Sequence, residues 1–526
     1  MTNMRIEQQA AAKPRRTGKR SRYGFAASAV AAAVAMHLFP SAQAADALDA
    51  RALAEQGGAN FPACSQCHGA RGEGMPSSGF PRLAGQGRDY LAKQLQDFRS
   101  GRRSNPIMEP IAKALDDSTV AALSAFYASL DGEPAPSAAA ATDVRAAQAL
   151  ATRGDWDHDI PACTACHGMS LAGIPPHFPA IAGQNATYTA KQLRAWKTGV
   201  RTNDPQGLMK AVAERLSDAQ IDAVAAYLTG SVAAASPHLR ATPTNAAASS
   251  AGDGRAPPSP AQLPEPDHGE TDVTVPAPVE AGPFTPPPEE AIPDNEFGAM
   301  IRKGRDIFVD TQANAGRFLG NGLQCVNCHL DAGRKANSAP LWAAYVKYPA
   351  YRDKNKKVNS FEDRLAGCFT FSMNGHPPAY DSPEMVALVS YSYWLARGAP
   401  TGADLPGRGY AEVAKPPQPA DRARGGAVYA QNCAICHGAN GGGTEVAGRY
   451  AFPPLWGKDS YNAGAGMFRV GTAAAFIKAN MPLGQGGSLS DQQAWDVAQF
   501  VNSHERPADP RERQDSDARR SSEGRK

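Results

Sequence analysis

Apolar residues recur at helical spacing in two segments of the first half of the chain, at 120–130 and 221–228. Asp117 and Asp218 precede these segments at positions where a helix is expected to begin. Each segment therefore predicts an apolar helix that ends a small helical domain.

The first half of the chain also contains an internal repeat. The motif Gly-Phe-Pro-Arg-Leu-Ala-Gly-Gln at 79–86 is echoed by His-Phe-Pro-Ala-Ile-Ala-Gly-Gln at 177–184, and Ala-Lys-Gln-Leu occurs at both 92–95 and 190–193. A repeat of this kind indicates one structural unit that is present twice. We therefore expect two copies of the same helical domain.

Eight of the nine cysteines fall into four Cys-x-x-Cys pairs, and each pair is followed directly by a histidine. The four motifs are Cys64, Cys67 and His68; Cys163, Cys166 and His167; Cys325, Cys328 and His329; and Cys433, Cys436 and His437. This spacing is the attachment signature of c-type haem, in which both thiols bind the porphyrin and the histidine supplies an axial nitrogen to iron. The sequence thus predicts four covalently bound haem c groups.

The repeat, the four motifs and the composition divide the chain into domains. A stretch rich in Ala, Pro, Ser and Thr follows the repeated domains, and its composition favours an extended linker over a packed core. The predicted fold is all-α, with four cytochrome c-type haem domains in two pairs joined by this linker. The predicted boundaries are a signal peptide at 1–44, haem domains at 45–132 and 143–231, the linker at 232–293, haem domains at 294–400 and 417–506, and a disordered tail at 507–526.

The N-terminal residues have the pattern of a secretory signal. A basic stretch precedes an apolar run at 25–39, and Ala42-Gln43-Ala44 offers small residues for cleavage. An uncleaved membrane anchor is the alternative, but the run is shorter than the roughly 20 residues that span a bilayer. No later segment is apolar enough to cross a membrane, so we expect a periplasmic protein without stable membrane insertion.

The net charge of +3 is small for 526 residues, and acidic and basic residues are interspersed. A nucleic-acid-binding protein would need a strongly basic face. Nucleic acid is therefore not an expected partner.

Met108 and Met209 are the predicted sixth ligands of the first two haems. They lie 40 residues after His68 and 42 residues after His167, whereas Met75 is too close to His68 to reach the opposite face of a haem. Core packing is the alternative role for a single methionine. The matched placement in both repeats favours ligation.

The fourth haem has two candidate sixth ligands, Met481 and Met467. Met481 lies 44 residues after His437 and is followed by Pro482, which would stiffen the loop that presents the sulfur. We favour Met481 and keep Met467 as its competitor.

The third haem domain differs because a lone cysteine, Cys368, stands 39 residues after His329, where the other domains place a methionine. A thiolate ligand would lower the potential of the iron, and a buried free cysteine is the alternative. Arg364 and Ser372 lie one helical turn to either side, on a shared face if the segment is helical. A basic cluster upstream, which includes Arg352, would attract a dianion and depress the thiol pKa, unless these cations form a solvated loop.

The first two domains resemble a dihaem cytochrome of the c4 type over about 46–231. The resemblance is carried by the duplicated Cys-x-x-Cys-His-Gly, by the Phe-Pro-x-x-Ala-Gly-Gln segment and by the placement of Met108 and Met209. Such proteins carry electrons in the periplasm, and the resemblance implies the same role for this part of the chain.

The last two domains resemble thiosulfate dehydrogenase, the dihaem enzyme that joins two thiosulfates into tetrathionate, over about 295–505. Four motifs carry the resemblance: Gly-Asn-Gly-Leu-Gln-Cys-Val-Asn-Cys-His at 320–329, Arg-Leu-Ala-Gly-Cys at 364–368, Gly-Ala-Gly-Met at 464–467 and Asn-Met-Pro at 480–482. In that family the cysteine of the second motif is the distal ligand of the active-site haem, flanked by an arginine and a serine.

The resemblance implies a set of active-site residues in this chain, namely Cys368, Arg364, Ser372, Asn374 and either Arg352 or Lys354 as a second cation. Some members of the family carry a lysine directly before the methionine of the fourth motif, and the two exchange as ligands with redox state. This sequence has Asn480 at that position.

Together the two resemblances imply a thiosulfate dehydrogenase fused to its c4-type electron acceptor. The implied reaction oxidises two thiosulfates to tetrathionate, and its direction stays open. Electrons would pass from the His/Cys haem to the His/Met haem, then to the c4-like pair and on to a downstream periplasmic cytochrome or other acceptor. Two alternatives remain, a tetrahaem electron carrier without substrate chemistry and a transferase that moves thiosulfate onto a carrier protein.

Overall fold

The computed structural model describes residues 49–131, 144–231, 282–353 and 355–512. The predicted signal peptide, most of the predicted linker and the end of the predicted tail lie outside the described residues. Among the described residues, no helix is long and apolar enough to cross a membrane.

The first two haem domains are built from similar helices in the same order. The first contains the α-helices Ala50–Gln56, Ser65–His68, Arg88–Arg99, Met108–Lys113 and Asp117–Ser129 and the 3₁₀-helix Pro76–Ser78. The second contains the α-helices Val144–Arg153, Cys163–His167, Ala186–Lys197, Leu208–Arg215 and Asp218–Gly230 and the 3₁₀-helices Trp156–His158 and Pro205–Gly207. The last helix of each domain begins at the predicted aspartate, where the side chain of Asp116 or Ser217 caps the free N–H groups.

The third and fourth domains are also mostly helical. The third contains the α-helices Glu296–Val309, Thr311–Ala315, Leu341–Tyr345, Phe361–Gly367 and Pro383–Leu395, the helical turn Leu330–Gly333, the π-helix Cys368–Ser372, the 3₁₀-helices Glu289–Ala291, Gly316–Phe318 and Cys325–Asn327, and the strands Ala350–Arg352 and Lys357–Asn359. The fourth contains the α-helices Arg422–Asn432, Ala434–His437, Val470–Asn480 and Asp491–Asn502, the 3₁₀-helix Gly466–Phe468, and the strands Thr444–Val446 and Arg449–Phe452. Each pair of strands forms a short antiparallel hairpin.

The first and last long helices of the third and fourth domains cross at a glycine. A Cβ on Gly304 would lie 2.0 Å from the carbonyl oxygen of Ala387, and a Cβ on Gly425 would lie 2.0 Å from that of Asp496. Only glycine permits so close an approach of two backbones. The crossing fixes the relative position of the two helices on which each haem-attachment loop is built.

The two N-terminal domains contact each other through residues at equivalent positions of the repeat. Nε2 of Gln86 donates to the carbonyl of Ala180 at 2.8 Å, and Nε2 of Gln184 donates to the carbonyl of Arg82 at 3.1 Å. Both glutamines end the repeated motif found in the sequence. The repeat thus holds its own two copies together.

The end of the predicted linker lies against the protein. Phe284 packs on the core of the third domain. Glu289 accepts a hydrogen bond from Arg153 of the second domain at 3.0 Å and another from Arg305 of the third at 2.9 Å. Residues 282–293 therefore connect the second and third domains, and we call this segment the strap.

Candidate haem centres and active site

Each attachment motif orients its histidine so that Nε2 is free to bind iron. In all four motifs Nδ1 is hydrogen-bonded to a backbone carbonyl, which belongs to Pro81 for His68 at 2.9 Å, Pro179 for His167 at 2.8 Å, Ala339 for His329 at 2.7 Å and Pro453 for His437 at 2.9 Å. Because a carbonyl only accepts, Nδ1 carries the proton and Nε2 is the unprotonated ligand form. Burial also lowers the pKa of the first, second and fourth of these histidines, which favours the neutral ring.

The third attachment motif has a different backbone from the other three. The other motifs lie in short α-helices, whereas Cys325–Asn327 forms a 3₁₀ turn. After His329, Asp331 and Ala332 adopt left-handed φ values of 52° and 50°. Such strained conformations cluster at functional sites. The motif that departs from regular geometry is the one whose domain carries the extra cysteine.

The N-terminal pair encloses an apolar cavity of about 530 Å³. The cysteines and histidines of the first two motifs line it, together with Met108 and Met209. All nine cysteines lie among the described residues, and none forms a disulfide. Free thiol pairs, neutral imidazoles and a methionine in each half of an apolar cavity fit two haem c groups.

Two repeat-related arginines lie on the wall of this cavity. Arg103 donates to Gln94 at 2.8 Å and to Gln192 at 2.9 Å, and Arg201 donates to Gln192 at 2.8 Å and to Gln94 at 3.0 Å. Both arginines are buried, and neither makes an ion pair with a described residue. Buried guanidiniums bonded only to neutral groups suit the carboxylates that a haem would bring.

The two candidate methionines of the fourth domain lie in different surroundings. Met467 packs with Leu323 and Tyr461 on the side of the third attachment motif. Met481 directly follows the helix Val470–Asn480, and its N–H continues the helical hydrogen bonding to Ile477 at 2.9 Å. The choice of Met481 over Met467 as the ligand of the fourth haem stays a prediction.

Cys368 opens a π-helical turn that continues the α-helix Phe361–Gly367. Nη1 of Arg364 donates to Sγ of Cys368 at 3.0 Å, across the face that the sequence predicts they share. Burial alone would raise the pKa of the Cys368 thiol, but the charge of Arg364 acts in the opposite direction and the pKa is lowered. Arg364 therefore favours the thiolate form of this sulfur, which faces the imidazole of His329.

Two of the other predicted active-site residues, Ser372 and Asn374, lie beyond this cysteine. Ser372 ends the π-helical turn, one turn after Cys368. Asn374 has a left-handed φ of 52°, and its Nδ2 donates to the carbonyl of Ser460 in the fourth domain at 2.6 Å. The amide of Asn374 thus joins two domains, and a part for it in the chemistry stays a prediction.

Arg352 approaches the site through a tyrosine. Its Nη1 donates to the hydroxyl of Tyr348 at 3.3 Å, and Tyr348 in turn lies close enough to Arg364 to raise the pKa of that guanidinium, after Cys368. Lys354, the other candidate for the second cation, lies outside the described residues. The described part of the chain therefore brings Arg352, Tyr348 and Arg364 together.

Tyr410 is a neighbour of this site that the sequence analysis missed. Its phenol lies beside Cys328, Arg364 and Cys368, and burial, the largest effect, raises its pKa well above the usual value. The residue belongs to the segment between the third and fourth domains, where no repeat or motif spacing marks it. Only the folded chain reveals its position.

The second haem domain meets the fourth beside their attachment motifs. The rings of Phe178 and Phe452 are 5.2 Å apart. Phe178 also lies 6.4 Å from the ring of His167, and Phe452 precedes the proline whose carbonyl holds His437. Cys436 is near enough to Cys166 to raise the pKa of that thiol, after the larger effect of burial. The two motifs are thus close neighbours.

Known families and proteins match the chain along most of its length. Residues 54–131 and 147–231 match the cytochrome c family, 315–401 match the cytochrome c domain of SoxA and TsdA, and 420–501 match subunit III of cbb3-type cytochrome c oxidase. The structure of thiosulfate dehydrogenase TsdBA from Marichromatium purpuratum is similar with a TM-score of 0.76 and 43% identity, over 88% of this chain and 92% of that one.

Two proteins of Stutzerimonas stutzeri match separate parts of the chain. Its thiosulfate dehydrogenase is 61% identical over 228 residues, which are 43% of this chain and 74% of that protein. Its thiosulfate dehydrogenase electron acceptor is 49% identical over 189 residues, which are 35% of this chain and 86% of that protein.

Proposed function

The chain belongs to the thiosulfate dehydrogenase family, in the form that carries its cytochrome electron acceptor in the same polypeptide, and from this premise we propose that it joins two thiosulfates into tetrathionate in the periplasm. Its cytochrome c domains bind haem covalently. The proposed location depends on the signal-like pattern at 1–44, which lies outside the described residues.

One haem c is assigned to each of the four motifs. The residues that would hold the irons are His68 and Met108, His167 and Met209, His329 and Cys368, and His437 and Met481. When bound, the haems would supply iron centres that accept electrons one at a time. The orientation of the four histidines and the placement of the first two methionines in the cavity support this assignment.

The cations near Cys368 would bind the substrate. Thiosulfate is a dianion, so two molecules repel each other as they meet. Arg364 and Arg352 would offset this charge, because a guanidinium makes bidentate contacts with an oxyanion. The hydroxyl of Ser372 would donate a further hydrogen bond to a sulfonate oxygen.

The thiolate of Cys368 would act as the covalent acceptor in two steps. Its sulfur would first bond to the sulfane sulfur of one thiosulfate, giving a cysteine S-thiosulfonate, and the haems, when bound, would take up the two electrons released. The sulfane sulfur of a second thiosulfate then attacks the bound sulfane sulfur. The Cys–sulfur bond breaks, tetrathionate leaves and the thiolate returns, so charge and atoms balance.

Electrons would leave the enzyme domains for the second haem domain first. The contact between Phe178 and Phe452, and the proximity of Cys166 to Cys436, support this order. The fused acceptor is already in contact with the enzyme through the strap and these rings. The transfer therefore needs no diffusional encounter.

The observation that carries the proposal is the 3.0 Å contact between Arg364 and Cys368 opposite His329. The test mixes oxidised, haem-loaded protein with thiosulfate without oxygen, follows haem reduction and assays tetrathionate. Wild type should reduce its haems rapidly and form tetrathionate. Cys368→Gly should lose both while it still holds four haems.

Thr370→Ala is the matched control, because it changes the same π-helical turn without touching Cys368. It should keep most of the activity. A Cys368→Gly variant as active as wild type would contradict the proposed role of the Cys368 thiolate as covalent acceptor. Haem reduction that requires an added carrier protein and yields no tetrathionate would instead favour the transferase.

A further inference from the structure

A buried hydrogen bond joins the third and fourth haem domains where each presents an axial ligand. The hydroxyl of Ser338 donates to Oδ1 of Asn480 at 2.9 Å. Ser338 is 0% exposed and Asn480 is 4% exposed. Ser338 directly precedes Ala339, whose carbonyl holds His329, and Asn480 directly precedes Met481.

Both ends of this hydrogen bond are fixed by further contacts. Nδ2 of Asn480 donates to the carbonyl of Phe476 at 3.0 Å, which anchors the amide on its own helix. On the other side, Ala339 has a left-handed φ of 51°, a strained conformation for alanine. Its N–H donates to Gly409 at 2.6 Å, so the neighbouring segment holds it in place.

Tyr410 adds a second contact between the same two loops. It pairs with Ser338 in an isolated β-bridge, and its ring lies 5.6 Å from that of Phe476 in an edge-on arrangement. Its phenol also lies beside Arg364 and Cys368. The region between the third and fourth domains is therefore packed continuously from the thiolate to the end of the helix that precedes Met481.

We propose that Ser338 and Asn480 are positioning residues that couple the third haem centre to the fourth. They hold the loops of His329 and Met481 against each other and give electrons a hydrogen-bonded path between the two. In each transfer one electron would leave the third haem centre and enter the fourth, with no bond broken and no proton moved. The coupling rests on the axial ligands proposed above.

The test follows electron transfer within the full-length, haem-loaded protein. Oxidised protein is mixed with thiosulfate, and rapid-freeze-quench electron paramagnetic resonance distinguishes cysteine-ligated from methionine-ligated iron. In Ser338→Ala the third haem should be reduced at the wild-type rate, and the methionine-ligated haems, which receive electrons by way of the fourth, should be reduced several-fold more slowly. Ser338→Thr keeps the hydroxyl and should restore most of the rate.

Ser460→Ala is the matched control for burial. Ser460 is also 0% exposed, but its hydroxyl has no hydrogen-bond partner among the described residues. The variant should transfer electrons as wild type does. Equal rates in Ser338→Ala and Ser460→Ala would overturn the proposal, and so would a Ser338→Ala variant that slows both haems to the same extent.

Asn480→Ala supplies an independent readout at the fourth haem. Loss of the anchor should lower the midpoint potential of this haem and weaken its methionine-to-iron charge-transfer absorption, and no change in either would count against the coupling. If thiosulfate leaves the wild-type haems oxidised, the proposed function fails. A laser-excited photoreductant then delivers the electrons, and the same comparison of Ser338→Ala with Ser460→Ala decides the coupling.

Discussion

Asp97 illustrates how a single buried charge holds the two N-terminal domains together. Its side chain is 1% exposed and accepts from Lys93, from Arg102 at 2.9 Å and from Asn203 of the second domain at 2.7 Å. Burial acts to raise the pKa of this carboxyl, but Lys93, Asn203 and Arg102 outweigh it and the pKa is lowered. The interface is therefore stabilised by an ionised carboxylate.

Replacing Asp97 with asparagine should lower the free energy of unfolding of the N-terminal pair by about 1.5–3 kcal/mol, because charge-assisted hydrogen bonds are lost. Denaturant unfolding followed at the haem absorption band would measure this change. Asp117→Asn is the control, since Asp117 forms a surface ion pair with Arg99. Its effect should stay within about 1 kcal/mol, and an equal effect of the two variants would contradict the role of Asp97.

The same carboxylate makes stability depend on pH. A carboxyl whose folded pKa lies below its ordinary value contributes stability above that value and loses it as the pH falls through the lowered pKa. For Asp97 the ordinary value is 3.8. The wild type should therefore lose unfolding free energy below about pH 4 more steeply than Asp97→Asn, and equal slopes would refute the assignment.

At this scale the four attachment motifs could be recognised in the sequence, because the chemistry of haem attachment fixes their spacing. Two thiols and a histidine must be neighbours in sequence to attach one haem. Asp97 and Tyr410 gave no such signal. Asn203, a partner of Asp97, lies 106 residues further along the chain, so only the folded structure brings the pair together.

Among the secondary-structure elements, the π-helical turn at Cys368–Ser372 has the most direct bearing on the chemistry. Its wider hydrogen bond runs from the N–H of Met373 to the carbonyl of Cys368 at 3.1 Å. Turns of this kind are rare and recur at functional sites. The sequence predicted a shared helical face for Arg364 and Cys368, and their contact lies on such a face. The extra residue of the turn was not predictable, because the chain that packs after it sets the local geometry.

Gly375 provides a test of that packing. A Cβ at this position would lie 1.9 Å from the carbonyl oxygen of Phe318, so Gly375→Ala must displace the segment that follows the π-helical turn. We expect the free energy of unfolding to fall by about 1–3 kcal/mol, and thiosulfate oxidation to slow because Ser372 and Cys368 shift. Thermal unfolding and the steady-state rate would measure the two effects.

Gly316→Ala is the control for this substitution. A Cβ on Gly316 would meet nothing within 4 Å, and its φ of −54° suits alanine. Its effect on unfolding should stay within about 0.5 kcal/mol. If both variants were equally stable and active, the close approach at Gly375 would not matter.

In the molecule as a whole, the strap fixes the fused acceptor on the enzyme. Glu289 is bound by arginines of two domains, and Arg153 and Arg305 outweigh the burial that would raise its pKa, so the pKa is lowered. Among the described residues, the neighbouring Glu290 forms an ion pair with Arg153 alone, in a contact whose glutamate is mostly exposed. The two glutamates thus differ in whether they link the domains.

Glu289→Gln should loosen the contact between the second and third domains, because a neutral amide cannot pair with both arginines. Small-angle scattering should report a larger radius of gyration, and transfer from the fourth haem to the second should slow as salt is added. Glu290→Gln should leave both unchanged, since exposed ion pairs contribute about 0–1 kcal/mol. Identical behaviour of the two variants would contradict the role of the strap in holding the second and third domains together.

The order of the haem domains along the chain could be predicted, because each domain carries its own attachment motif. Their placement could not. Phe178 and Phe452, which bring the second and fourth domains together, are ordinary aromatic residues in the sequence. The strap lay inside a range whose composition predicted a linker, and in the folded chain the packing of Phe284 and the arginines that bind Glu289 give it structure.

The reciprocal glutamines have a consequence for how such a protein can arise and change. A chain with a single repeat would present Gln86 and the carbonyl at position 82 on one surface, and that surface is complementary to a second copy of itself. The N-terminal half therefore pairs its two repeats as a homodimer would pair two subunits. Once joined in one chain, the two repeats can diverge in sequence. They differ, for example, where the second repeat has Ala180 at the position that corresponds to Arg82 in the first, and two identical subunits could not differ in this way.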